Sequence, residues 1–290
     1  MLNYSMAVVL ILGGNKLIEE LYALNIWPTD PHSEFSQRRF REAVEVFGRL
    51  MEHDWFQELL RKEKVRILEI CAGAGIGGVA LAKVLMERGV DVELLLTDIR
   101  ENDLELGSRW GSEVLGRKVD YVKMDSRRVH ELGRRFDIAL MYGFSSPHFD
   151  PWDMVRLQAS VSECLADDGI LIMDEGDRRY SIFYQTGYAR ILPERIDNER
   201  ALLSLHAGYN FKRGTFKRAY LDLKNPSKTV ITEVYFWGLA ELMAMVWIFF
   251  QDVDFYELRR GAGLILGYKP RRKIRIGDLQ TQPRVLLSQP

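Results

Sequence analysis

The hydrophobic rhythm of the chain changes along its length. Phe40, Val44, Phe47 and Met51 recur at i, i+4, i+7 and i+11, a helical stripe, and Arg38, Arg41, Glu45 and Arg49 lie largely outside it. Ser33 or Ser36 is placed to cap this helix. Upstream, Trp27-Pro28-Thr29-Asp30-Pro31 is a break, because proline removes backbone donors and pushes the preceding residue out of helical geometry. Residues 1–64 therefore read as a helical region with one interruption.

From Val65 short apolar runs alternate with helical stretches. The pattern predicts strands at 66–70, 92–97, 121–124, 138–142 and 170–173, and helices near 77–88, 102–115, 127–134 and 152–165. Gly89 is expected to end the first of these helices and Gly169 the last. Successive strand–helix units predict a parallel sheet with helices on both faces, joined by right-handed crossovers. Beyond Glu175 the rhythm is lost, and 176–213 reads as mostly helical and irregular. Two further strands are predicted at 215–223 and 229–237. The link Lys224-Asn225-Pro226-Ser227-Lys228 is too short for a parallel crossover, so they form an antiparallel hairpin.

Composition narrows the class. The 290 residues are 47% hydrophobic and 28% charged, which excludes disorder over most of the length. A formal net charge of −1 supplies no overall drive toward nucleic acid. Cys71 and Cys164 have neither metal nor disulfide-framework spacing, which fits a reducing, cytoplasmic setting; the histidines are scattered, and no metal site is expected. Met6 to Leu12 is apolar, but no Lys or Arg precedes it and Gly13-Gly14 cuts it short, so it does not read as a targeting segment. The apolar segment 239–250 covers 12 residues, against about 20 for a bilayer span, and reads as a buried helix with no membrane partner. Residues 267–290 form a basic, Pro-containing tail expected to be dispensable for ligand binding.

The most informative stretch is Ile67-Leu68-Glu69-Ile70-Cys71-Ala72-Gly73-Ala74-Gly75-Ile76-Gly77-Gly78. A buried strand ends in a carboxylate, glycines let the backbone turn and approach a ligand, and a helix follows at once. Gly73, Gly75 and Gly78 also satisfy the dinucleotide pattern G-x-G-x-x-G. Glu69 weighs against that ligand, since a carboxylate would face its pyrophosphate. It favours S-adenosylmethionine, which has no phosphate and carries an ammonium and a sulfonium.

Glu69 to Gly75 resembles motif I of the class I S-adenosylmethionine-dependent methyltransferases, with Cys71 in place of the usual first glycine and expected to avoid positive φ. Leu94 to Asp98 resembles the family's second strand, Tyr121 to Asp125 its third, Phe136 to Tyr142 its fourth, and Cys164 to Met173 the lead into its fifth. The resemblance spans roughly residues 64–237. It implies an α/β fold, a doubly wound, mostly parallel seven-stranded sheet ending in an antiparallel hairpin. Residues 1–64 would be a lid, 65–266 the methyltransferase domain with an insertion near 176–213, and 267–290 the tail. It also implies cofactor contacts from Glu69, Cys71, Ala72, Gly73, Gly75, Asp98, Ile99, Asp125, Ser126 and Tyr142. Asp98 would accept the ribose hydroxyls and Asp125 would meet the adenine amino group, the alternative for each, and more so for Asp125, being a cap on the following helix.

Methyl transfer asks chiefly for alignment, with a base only where the acceptor must lose a proton. Acceptor contacts are expected in Tyr142-Gly143-Phe144-Ser145-Ser146-Pro147-His148-Phe149-Asp150. This segment lacks the Asn/Asp-Pro-Pro-aromatic signature of base amino methylation and the Pro-Cys pair of cytosine-C5 enzymes. His148, with a free pKa near neutrality, is the candidate base, or else a surface-loop histidine; Tyr142 is a candidate catalytic group or simply packs beside the cofactor. Asp174 and Glu175 are expected to cap the next helix rather than bind a metal. Three readings follow. The first is a methyltransferase for a small or medium acceptor, under a helical lid lined from Trp27, Phe35, Phe40, Tyr180, Phe183, Tyr184 and Tyr188. The second is an RNA or protein methyltransferase, using Lys212-Arg213, Lys217-Arg218 and 269–275 as a basic face. The third is a non-catalytic cofactor-binding subunit. A homodimer is compatible with each.

Overall fold

Strand β1 (Lys64–Ile70) is buried from Ile67 onward, because the sheet continues on both sides of it. It pairs in parallel with β2 (Asp91–Asp98), Val65 opposite Val92 and Ile70 opposite Thr97, and with β4 (Phe136–Met141), Ile67 opposite Ile138. β3 (Asp120–Lys123) lies outside β2, and β5 (Leu165–Gly176) pairs in parallel with β4. Every residue of β4 is buried, as expected of a central parallel strand. The structure, a computed structural model, describes residues 14–198 and 200–287. Met6 to Leu12 lies outside them.

Helices cover both faces. α4 (Ile76–Glu87) is apolar nearly all round because α2 (Glu34–Leu50) packs over its outer side, joining Ala43, Phe47 and Leu50 to Val79, Ala80 and Leu85 in one core cluster. Ser33 caps α2 as expected, its hydroxyl accepting from Ser36 N–H at 3.2 Å. The Trp27–Pro31 break separates α2 from α1 (Gly14–Ala23). α3 (Asp54–Leu59), α5 (Glu101–Leu115) and α6 (Pro151–Cys164) complete this part. Gly89 ends α4 at φ 83. Gly169 ends no helix; the chain passes from Cys164 directly into β5, and Gly169 lies within that strand.

The strand order is β10-β11-β5-β4-β1-β2-β3, a seven-stranded sheet with an antiparallel end. That end is not the hairpin predicted from 215–237. It is β10 (Phe250–Arg259) and β11 (Ala262–Pro270), reached through α7 (Leu239–Phe249) and joined at Gly261, φ 70. One side of α7 is buried through Leu242, Val246 and Phe249, while Trp247 and Ile248 on the other side are exposed. β11 carries the chain to Pro270, so the expected tail begins inside a core strand.

The predicted hairpin does form, as β8 (Thr215–Asp222) and β9 (Asn225–Val234), but in a second sheet of order β6-β7-β8-β9. β6 (Ile191–Ile196) and β7 (Ala201–Asn210) occupy the stretch expected to be helical, which among the described residues keeps only one π turn, Tyr180–Gln185. Ala201, Leu202, Leu203 and Leu205 favour helix intrinsically, but pairing with β8 and burial of Leu202 and Ser204 decide for strand. α1 packs on this sheet, Leu21 and Leu24 against Leu202, Tyr220 and Val230. Among the described residues no helix is long and apolar enough to cross a membrane.

Candidate functional site

The sheet reverses its winding between β1 and β4, and the loops after those strands open a crevice at their carboxyl ends. The first loop turns through Gly73 (φ 54) and Gly75 (φ 72), which stands immediately before α4. Cys71 also has φ 53, contrary to expectation; its backbone takes the left-handed form that a glycine adopts without strain. Its thiol lies 3.1 Å from Ser126 Oγ, and burial pushes its pKa up to about 12, so it remains a thiol.

Glu69 is fully buried beneath the first turn of α4. Neither carboxylate oxygen makes a hydrogen bond of good geometry, and the Gly78 N–H exerts only a partial pull. Burial raises its pKa to about 8. An added cation at this edge would favour the ionised form.

Asp98 ends β2, buried, with Oδ2 accepting from Gly73 N–H at 2.8 Å and Oδ1 from Arg100 N–H at 2.9 Å. Ile99 follows, half-buried. Asp125 caps the 3-10 turn Ser126–Leu132, accepting from Arg127 N–H at 2.9 Å, and its carboxylate also pairs with the Arg127 guanidinium. Ser126 is buried against Cys71.

A cavity of about 840 Å³ lies over this edge, near the upper end of the range for ligand pockets, enough for a cofactor together with an acceptor. Of the residues expected at the site, Cys71, Ala72, Gly73, Tyr142 and His148 line it, whereas Glu69, Gly75, Asp98, Ile99, Asp125 and Ser126 do not. α1 and α2 contribute Tyr22, Phe35, Arg38, Arg39 and Glu42, the second sheet contributes Glu194, Arg218 and Tyr220, and Tyr188 enters from the segment before β6. Trp27 also lines it; Phe40 instead packs on Trp110 at 5.1 Å, Tyr184 is exposed, and Phe183 packs on Tyr188. The residues from α1 and α2 carry no motif, so only the fold brings them here.

Asp174 and Glu175 cap no helix. Asp174 lines the cavity and accepts from Gly143 and Phe144 N–H, at 2.9 and 3.0 Å; burial raises its pKa. Glu175 pairs with Arg178 at 3.1 Å and with the Ser146 hydroxyl, and burial raises its pKa to about 7. Among the described residues no cluster of metal-binding side chains occurs. The loop carrying His148 is fastened by the segment that follows β9: Tyr235 N–H donates to Pro147 O at 3.0 Å, and Trp237 Nε1 to Phe149 O at 3.1 Å. The pKa of His148 is not near neutrality, since burial and the charge of Arg100 lower it to about 4. Burial and Asp174 hold the Tyr142 phenol above its ordinary range, and its ring packs on Phe47 at 5.3 Å.

The expected basic face is largely engaged elsewhere. Arg213 pairs with Asp150, Lys217 with Glu233, and buried Arg218 donates to Ala189 O and Ser204 O. Arg271 and Arg272 donate to backbone carbonyls of Phe250 and Ser162.

Solved structures share this architecture. The PH0226 protein of Pyrococcus horikoshii OT3 is 18% identical, covering 87% of this chain and 99% of its own at a TM-score of 0.60. A S-adenosylmethionine-dependent methyltransferase from Clostridium acetobutylicum is 13% identical over 78% and 91% of the two chains, TM-score 0.54. The chain has the class I methyltransferase fold. Magnesium protoporphyrin IX methyltransferase from Synechocystis PCC 6803, solved with bound SAM, covers 89% of this chain and 98% of its own at 11% identity, TM-score 0.51. No protein-family model matches the sequence, and no curated protein matches it.

Proposed function

We propose that this chain is an S-adenosylmethionine-dependent methyltransferase acting on a small or medium-sized acceptor. The observation that carries the reading is the cavity itself, walled on one side by the Cys71–Gly77 loop and on the others by α1, α2 and the second sheet. The buried Glu69 carboxyl at the start of α4, where a dinucleotide would need free amides, favours a cationic, phosphate-free ligand.

When bound, the cofactor supplies a methyl group on a sulfonium, already activated for displacement. The chain's own tasks are binding, alignment and exclusion of water. Asp98 is the candidate ribose acceptor, Ile99 and Ser126 are neighbours of the adenosine, and Glu69 is the counter-charge for the ammonium. Asp125 is the weaker candidate for the adenine, being already paired with Arg127. Arg39, whose guanidinium reaches within 3.1 Å of the position a Cβ would take on Gly143, is suited to the methionine carboxylate. A proton leaving the acceptor has two candidate destinations on the wall, His148 and Asp174. His148 is neutral above its pKa of about 4, which makes it the weaker base of the two at neutral pH and suits it better to orienting the acceptor. Tyr142 remains a phenol and serves by packing.

Enclosure on three sides and the internal pairing of the basic residues favour a small acceptor over RNA. Calorimetry should give binding of S-adenosylmethionine and S-adenosylhomocysteine and none of NADH. Tight NADH binding with no heat from either adenosyl ligand would overturn the reading. Acceptor pools screened with radiolabelled cofactor then identify the methyl acceptor, and labelled RNA would overturn the small-acceptor part.

A further inference from the structure

We infer that the Asp98 carboxylate is a shared anchor, held either by Arg100, and through it by Tyr22 of α1, or by the cofactor, so that the N-terminal helix and the cofactor compete for one site. The inference rests on the proposed cofactor reading and adds an internal competitor to it.

The geometry is that of a closed latch. Arg100 turns back from the start of α5 so that Nε lies 3.3 Å from Asp98 Oδ1 and Nη2 lies 3.4 Å from Oδ2. Its Nη2 stands 2.8 Å from the position a Cβ would occupy on Gly73. The guanidinium therefore covers the loop glycine whose bareness gives a ligand close backbone approach. Tyr22 closes the stack from above, with its ring centroid 3.8 Å from Arg100 Cζ, a cation–π contact. Asp98 thus faces a guanidinium of its own chain at the point where ribose hydroxyls would be accepted.

Two features let the latch open. Arg100 also pairs with Asp103 on the same helix, so it can leave Asp98 and keep a carboxylate partner. Apart from Arg100, α1 is held by Leu21 and Leu24 on the second sheet, and Tyr22 meets the rings of Trp27 and His148 at 5.7 and 6.3 Å, so it keeps ring partners when it releases Arg100. Because competition is reciprocal, whatever weakens the latch must strengthen cofactor binding, and cofactor must loosen α1. An Arg100 that instead helped to bind cofactor would give the opposite sign.

The test is calorimetry of S-adenosylhomocysteine with the full chain and with Arg100→Ala, Tyr22→Ala and the exposed control Arg109→Ala. The latch predicts affinity raised about tenfold in Arg100→Ala and Tyr22→Ala, by removal of the competing state, and unchanged in Arg109→Ala. Hydrogen exchange across residues 17–23 should speed up when the ligand is added to the unaltered chain and should not respond in Arg100→Ala. Equal or weaker binding by both variants, or slower exchange of α1 in the unaltered chain, would overturn the latch while leaving the cofactor reading intact. Absence of binding by the unaltered chain and by every variant would overturn both.

Discussion

Gly78 and Glu69 are in such close approach that a Cβ on Gly78 would stand 2.5 Å from Glu69 Oε2. The absent side chain is what admits a carboxyl beneath the opening turn of α4. The consequence is a carboxyl with a pKa of about 8, where an exposed one would sit near 4.5. The folded chain keeps a proton that the unfolded chain releases across that interval. Stability from this group is therefore full below about pH 4.5 and falls as pH rises through 8. Between pH 6 and 9 the loss should be about 2–3 kcal/mol, and Glu69→Gln should not show it. Denaturant unfolding of both proteins across that range checks this; parallel pH profiles would mean that Glu69 is ionised throughout.

Arg39 has no ion-pair partner among the described residues, yet its charge reaches Glu69, Asp174 and Tyr142. If it receives the methionine carboxylate, Arg39→Ala should weaken S-adenosylhomocysteine binding by about ten- to a hundredfold, the loss of one charge-assisted hydrogen-bonded pair. Binding of 5′-methylthioadenosine, which lacks the amino-acid end, should be unaffected. Equal loss for both ligands would assign Arg39 to the architecture of α2.

Cys71 holds a left-handed backbone that penalises any Cβ. Cys71→Gly and Cys71→Ala both remove the thiol that meets Ser126, but only the alanine retains the penalty. The glycine variant should be the more stable of the two by about 1 kcal/mol, read from thermal or denaturant unfolding. The reverse order would show that packing around the Cβ outweighs its strain.

The C-terminal segment should not be dispensable. Arg272 donates to Ser162 O at 3.2 Å and pairs with Asp167, Arg271 donates to Phe250 O at 2.6 Å, and buried Ile276 has its N–H on Glu163 at 2.7 Å. Truncation after Tyr268 removes these clamps and the last residues of β11. It should destabilise the fold by more than about 3 kcal/mol, the scale of removing several partly buried hydrogen bonds and an apolar anchor at once. A truncated chain that melts with the full-length protein would restore the view of this segment as a loose tail.

Elements whose physics is local were legible in the chain before it folded. Ser33 before a helical stripe, Glu69 before a glycine turn, and Gly89 after an apolar helix each act over a few residues, and each stands where the pattern put it. The strands β1, β2, β4 and β5 could be read because central parallel strands are apolar on both faces. Long-range packing, by contrast, chose which antiparallel pair ends the large sheet. A short connection requires two strands to be neighbours but says nothing about which sheet receives them, and pairing with β5 fell to β11. Packing likewise made 191–196 and 201–210 strands, since the helix-favouring leucines of β7 gain more from β8 than from their own backbone. The cavity wall follows the same division. Gly73, Tyr142 and His148 belong to motifs or strand ends and can be read in order. Tyr22, Arg39 and Arg100 come from separate elements or carry no motif, and a charged or aromatic residue on a helix has no local mark of what it will face. Their meeting at Asp98 and Gly143 is a product of how α1 and α2 pack, and no periodicity encodes it.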